Sequence, residues 1–153
     1  MEDLHKNGVL KSIGVSNFNE KHLDKLALTA KILPSVNQIE VYPPWLQRTE
    51  LVKYCQDRDI VIQAYSPLAK AMRLNDPVVM SIAQRLGVDV AQVLIAWSLQ
   101  KGFVTLPKSV VVDRQKTNLD AYDLTLSATD IALLDTLEEY FVTGWDPIRD
   151  DPV

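Results

Sequence analysis

Short apolar runs alternate along this chain with stretches whose apolar residues recur at helical spacing. Residues 9–15 read as a strand that ends in Ser16-Asn17. Asn19 then predicts the cap of a helix with Leu23, Leu26, Ala27 and Ala30 on one face. Residues 36–41 form a second predicted strand, bounded by Pro34 before it and Pro43-Pro44 after it. A helix over 49–58 leads to a third strand, 60–64, which runs into Tyr65-Ser66-Pro67-Leu68. Two helices follow, 77–86 and 90–100, with Pro77 opening the first and Gly87 between them. Residues 103–106 are the fourth strand, 113–120 and 127–139 two more helices, and the Pro- and Asp-rich tail 140–153 reads as irregular.

Strand–helix alternation of this kind predicts parallel strands with helical crossovers, an α/β fold. The run Ile60-Val61-Ile62 is continuously apolar, as a strand covered on both faces would be. Polar residues gather just after the strands, as Ser16-Asn17, Tyr65-Ser66 and Lys108-Ser109. Ligand sites in parallel α/β folds form at the carboxyl ends of strands, so these groups point to one face.

Composition narrows the classes. At 153 residues and 47% hydrophobic content the chain is long enough to bury a real core. A net charge of -4 argues against nucleic acid or an anionic membrane as the main partner. Cys55 is the only cysteine, which excludes an internal disulfide and fits a reducing compartment. The apolar runs, such as 93–97, are too short to span a bilayer. The charged opening Met-Glu-Asp-Leu-His-Lys lacks a signal-peptide core, so the expected location is cytoplasmic. There is no Walker loop, no Cys/His cluster at metal spacing, and no Gly-x-Ser-x-Gly.

The most informative stretch is Leu106-Pro107-Lys108-Ser109-Val110-Val111-Val112-Asp113-Arg114. Lys108 and Arg114 flank the start of a predicted helix, whose free amides and macrodipole favour an anion. A cofactor phosphate is the natural ligand for that place, and a surface Lys with a helix-face Arg is the plain alternative.

Five ordered motifs weigh on that choice. Lys11-Ser12-Ile13-Gly14-Val15-Ser16-Asn17-Phe18, Val36-Asn37-Gln38-Ile39-Glu40 and Ala64-Tyr65-Ser66-Pro67-Leu68 come first. Ala91-Gln92-Val93 with Trp97 and the Leu-Pro-Lys-Ser…Arg…Thr-Asn stretch follow. Together they resemble the aldo-keto reductases over about residues 1–139. The resemblance implies a (β/α)8 barrel of the TIM-barrel type, of which the four strands here are the second half. It also implies a nicotinamide dinucleotide held without a Gly-rich Rossmann loop.

Residue by residue, the resemblance implies that Ser16, Asn17 and Gln38 hydrogen-bond the nicotinamide carboxamide and that Tyr65 stacks on the ring. Ser66 and Leu68 would lie along the pyrophosphate. Lys108, Ser109, Val110 and Arg114 would hold the 2′-phosphate of NADP, and Asn118 the adenine. Taken alone, Asn17 reads equally as a turn residue, Gln38 as a satisfied strand polar and Tyr65 as a core aromatic. Thr117 stands where many members carry Glu, Ala69-Lys70 where small residues are common, and Tyr42 where His is frequent.

The family's Asp, Tyr, Lys and His tetrad has no counterpart in these 153 residues, so no catalytic residue is assigned. His5 and His22 read as solvated surface residues. The expectation is a truncated oxidoreductase: a cofactor-binding half that reduces aldehydes, ketones or sugars with NADPH only in an intact barrel. The rival is a non-catalytic NADP-binding or subunit-pairing protein. In either case a four-stranded half should leave an apolar inner face, carrying Ile13, Val15, Ile39, Ile62 and Val104, that calls for a homodimer or a missing barrel half.

Overall fold

A computed structural model describes residues 1–42 and 45–150. The predicted strand boundary Pro43-Pro44 and the last residues of the tail, 151–153, lie outside the described residues. The elements run α1 (Glu2–Lys6), β1 (Val15–Ser16), α2 (Glu20–Ala27), β2 (Val36–Glu40), α3 (Thr49–Gln56) and β3 (Val61–Tyr65). A 3-10 turn at Ala69–Ala71 precedes α4 (Pro77–Leu86), α5 (Val90–Gln100), β4 (Val104–Leu106), α6 (Val112–Asp120), α7 (Ala128–Asp135) and α8 (Pro147–Asp150). The strands form one sheet in the order β1-β2-β3-β4, and every neighbouring pair is parallel. This is the α/β arrangement that the alternation predicts.

Helix ends follow local chemistry. The Asn19 side chain accepts from the His22 amide, Asp76 accepts from Val78 and Val79 ahead of Pro77, and Ser127 accepts from Asp130. Gly87 closes α4 at φ 69°, the left-handed conformation that glycine adopts without cost. The histidines are not free surface residues. His22 Nδ1 accepts from the Asn19 amide at 3.2 Å, and the half-buried His5 ring lies 2.9 Å from the Leu10 carbonyl oxygen.

Two elements are shorter than their patterns predict. The strand expected over 9–15 contracts to β1, because the Val9 and Leu10 amides bond back to the Leu4 carbonyl and finish the turn of α1. The helix expected over 127–139 ends at Asp135, because the Glu139 and Phe141 amides are drawn to the Trp45 carbonyl.

One face of the sheet is packed under helices. Ile39, Ala64 and Thr105 are in register across it, and the Thr105 hydroxyl donates to Ser98 Oγ of α5 at 2.8 Å. Ile39, Ile62 and Ala64 join Leu51, Val93, Leu94 and Trp97 in the buried core. Each such apolar side chain contributes about 1.5–3 kcal/mol. The expectation that Ile39 and Ile62 line an open inner face is therefore corrected. Side chains alternate with period two, and the helices take the Ile39 and Ile62 side. The opposite face carries Gln38, Glu40, Gln63 and Tyr65 beside Val61, Val104 and Leu106, and is polar over much of its area.

The tail is more ordered than its composition suggests. It closes the single turn α8, and the buried Asp146 pairs with buried Arg48 at 2.8 Å. Tyr42 donates its hydroxyl to the Phe141 carbonyl, and Thr143 donates to the Glu40 carboxylate on the open face of β2.

Candidate functional site

The strand ends build the first part of the site. Asn17 sits at φ 59°, a left-handed conformation that Asn tolerates better than most residues. Its amide donates to the Gln38 carbonyl at 2.9 Å. Just after it, the buried Asn37 side chain ties down Phe18, donating to the Phe18 carbonyl at 2.7 Å and accepting from its amide at 3.4 Å. The Ser16 hydroxyl donates to the Gln38 carbonyl at 2.9 Å.

Tyr65 reaches across from β3, its hydroxyl donating to Asn17 Oδ1 at 3.2 Å. Burial first, and then the Glu40 carboxylate, push its pKa above the ordinary phenol value, so the group stays neutral. Gln38 Nε2 donates to Gln63 Oε1 on the next strand. Ser16, Asn17, Gln38 and Tyr65 are thus one hydrogen-bonded group. Sequence reasoning passed over Gln63 and Asn37. Gln63 precedes Tyr65 by two strand positions, so the period-two rule already puts both on one face.

The second part is a groove of about 850 Å³, lined among others by Ser66, Leu68, Lys70, Lys108, Arg114 and Asn118. Ser109 lines it too, while its hydroxyl accepts from the Val111 amide at 3.1 Å and its carbonyl accepts from Gln115 Nε2 at 2.8 Å. Val110, expected beside the phosphate, is 78% exposed and is not among the lining residues. Its side chain turns to solvent as the loop bends between Ser109 and α6. Ser66 stands at φ 53°, and Ala69, Lys70 and Ala71 are consecutively left-handed at φ 47°, 50° and 65°.

Charge is left over in this groove. Arg48, Arg73, Arg85 and Arg149 each have a carboxylate partner, but among the described residues Lys108 and Arg114 have none. α6 begins without a side-chain cap, unlike α2, α4 and α7. Two unpaired cations beside a helix end with open amides fit a dianionic phosphate. Lys70 adds a third cation, its Nζ 3.4 Å from the Thr143 carbonyl, and Asp89 is an acid on the same wall.

Both strand-end tyrosine hydroxyls are engaged by protein groups. Tyr42 is fully buried, its hydroxyl held by the Phe141 carbonyl, and burial raises its pKa well above the usual phenol range. The Tyr65 hydroxyl is committed to Asn17. Among the described residues no group of three His, Cys, Asp or Glu could hold a metal. Among the described residues no single helix is long and apolar enough to cross a membrane.

Residues 1–139 match the model of the aldo/keto reductase family. Glyoxal reductase of Bacillus subtilis is 40% identical over 147 residues, covering 96% of this chain and 53% of that protein. An aldo-keto reductase from a deep-sea metagenome library has a TM-score of 0.90 and 32% identity, covering 99% of this chain and 56% of its own. A Bombyx mori aldo-keto reductase in complex with NADP has a TM-score of 0.85 and 30% identity, covering 94% of this chain and 50% of its own. The solved neighbours are (β/α)8 barrels. The chain spans about half the length of the curated relatives it matches.

Proposed function

Since the chain belongs to the aldo/keto reductase family, we propose that it is the cofactor-binding half of an NADP-dependent oxidoreductase that reduces aldehydes, ketones or sugars. NADPH, when bound, supplies the hydride for such a reduction. Lys108, Arg114 and the start of α6 hold the 2′-phosphate, with Ser109 fixing the loop between them. Ser66 and Leu68 flank the pyrophosphate, and Asn118 meets the adenine. Ser16, Asn17, Gln38 and Tyr65 orient the nicotinamide. A barrel half carrying a proton donor, or a second copy of this chain, closes the open face, in a cytoplasmic setting that suits the lone thiol of Cys55.

The observation that carries this reading is the pair of unpaired cations beside an uncapped helix in one groove. One charge-assisted contact is worth about 1.5–3 kcal/mol. Arg114→Ala should therefore weaken NADPH about tenfold or more and leave NADH within about twofold. Fluorescence titration of both cofactors measures it, and equal losses for the two would refute the assignment.

The rival reading, a non-catalytic NADP-binding or subunit-pairing protein, is favoured by one observation: the Tyr42 and Tyr65 hydroxyls are both engaged by protein groups. It shares the binding prediction and differs in having no catalysis after assembly with a partner.

A further inference from the structure

We propose that Arg73 is a positioning residue: it links the C-terminal tail to the segment 66–74, so that the tail holds that wall of the dinucleotide groove in its binding shape. This rests on the dinucleotide reading above and goes beyond it, to the part of the fold that keeps the groove preformed.

Segment 66–74 contributes Ser66, Leu68, Lys70 and Leu74 to the groove that also holds Lys108 and Arg114. Ala69 is buried and Leu74 packs against the core, but Lys70, Ala71 and Met72 between them are exposed. The exposed stretch is also strained. Ala69, Lys70 and Ala71 are left-handed in succession, and neither alanine has a polar side chain to support that conformation locally. The Ala69 amide donates to the Ser66 carbonyl and the Ala71 amide to the Leu68 carbonyl, each at 2.8 Å, so these bonds stay within the segment. Non-glycine residues persist in that region only where surrounding structure holds them.

The tail supplies the hold. Arg73 Nη2 lies 2.7 Å from the Glu139 carboxylate, and the same guanidinium covers the Phe141 ring at 4.5 Å from its centroid. Lys70 Nζ is 3.4 Å from the Thr143 carbonyl. These tail residues are in turn fixed to the body of the fold. The Glu139 and Phe141 amides donate to the Trp45 carbonyl at 3.3 and 2.9 Å, the Phe141 carbonyl accepts from Tyr42, and Thr143 donates to Glu40.

Contacts therefore run from the core through the tail to the groove wall, and Arg73 makes two of the three that join tail and wall. The Arg73 and Glu139 side chains are 35% and 50% exposed, so the link is weak enough to break and re-form. A groove that keeps its shape only while the link is closed binds dinucleotide in proportion to the closed fraction. By reciprocity, a dinucleotide that fills the groove tightens the tail.

The test uses the full chain with NADP and with 2′-AMP, which carries the adenine and 2′-phosphate but no pyrophosphate. Arg73→Met removes both the ion pair and the stacked cation. By calorimetry it should weaken NADP about fivefold or more and leave 2′-AMP within about twofold. Glu139→Gln should weaken NADP in the same direction, and the double variant should lose no more than Arg73→Met alone, because both changes break one link. NADP should slow hydrogen exchange at the Glu139 and Phe141 amides in wild type, and saturating NADP should no longer do so in Arg73→Met. Retained 2′-AMP binding reports that each variant is folded. An Arg73→Met protein with wild-type NADP affinity, additive losses in the double variant, or tail amides indifferent to NADP in wild type overturns the inference alone. Equal losses for NADP and 2′-AMP also overturn it, since Arg73 would then support the whole fold. Wild type that binds neither ligand overturns the dinucleotide reading, and this inference with it.

Discussion

Asp146→Ala removes the anion that holds the tail while leaving a guanidinium buried beneath it. The Arg48 and Asp146 side chains are 2% and 1% exposed, with Nη2 and Oδ1 2.8 Å apart. Asp146 also accepts from the Tyr140 hydroxyl at 2.9 Å and from the Ile148 amide at 3.1 Å. Arg48 cannot swing to solvent in compensation without breaking the 2.7 Å bond from its Nε to the Glu40 carbonyl. Stranding one member of a buried pair costs about 3–5 kcal/mol. The whole domain has about 5–15 kcal/mol to lose. Urea unfolding followed by circular dichroism, at one fixed protein concentration, should show that loss as a lower midpoint. The double variant Arg48→Met/Asp146→Leu should cost markedly less than Asp146→Ala, since no charge is left buried. An Asp146→Ala protein within about 1 kcal/mol of wild type would refute the assignment of the tail clasp to this pair.

The same pair predicts the pH response. Burial pushes the Asp146 pKa up, but the hydrogen bonds from Arg48 and Tyr140, with the Arg48 charge, outweigh it and hold the carboxyl below its ordinary value. A group depressed in the folded state adds stability that is fully present above its unfolded pKa, about 3.9 for Asp. That contribution is lost as pH falls from there through the folded value. Asp146→Ala should accordingly flatten the acid limb of the stability curve.

Two further expectations concern assembly and turnover. The open face leaves Val61 and Val104 each 45% exposed and Leu106 37% exposed, and β1 and β4 have one unpaired edge each among the described residues. Light scattering at micromolar concentration should therefore show self-association; a compact monomer with a cooperative melt and no dye-binding surface would contradict it. Purified chain with NADPH and a general aldehyde should show no turnover, because both strand-end phenols are engaged. Aldehyde reduction that disappears in Tyr65→Phe or Tyr42→Phe would overturn that expectation and identify the acid.

Much of the candidate site was legible because it sits where the chain changes character. Ser16-Asn17, Tyr65-Ser66 and Lys108-Ser109 each end an apolar run, and parallel strands bring such ends to one side of the sheet. Spacing alone placed Lys108 and Arg114 beside the start of α6, because a helix onset is a local event. Gln63 and Asn37 escaped notice because their importance lies in partners on other strands, and no local pattern states a register.

The periodicity of apolar residues determined the order and type of the elements, since helix and strand repeats are properties of a few neighbouring residues. It did not determine which face of β2 and β3 the helices would cover. Ile39 and Ile62 suit either side of a sheet, and the packing of α5 against Ala64 and Thr105 made the choice. Nor could it reveal the tail clasp, whose two charges stand 98 residues apart. Burying Arg48 is tolerable only with Asp146 delivered beside it, and only the folded chain brings the two together.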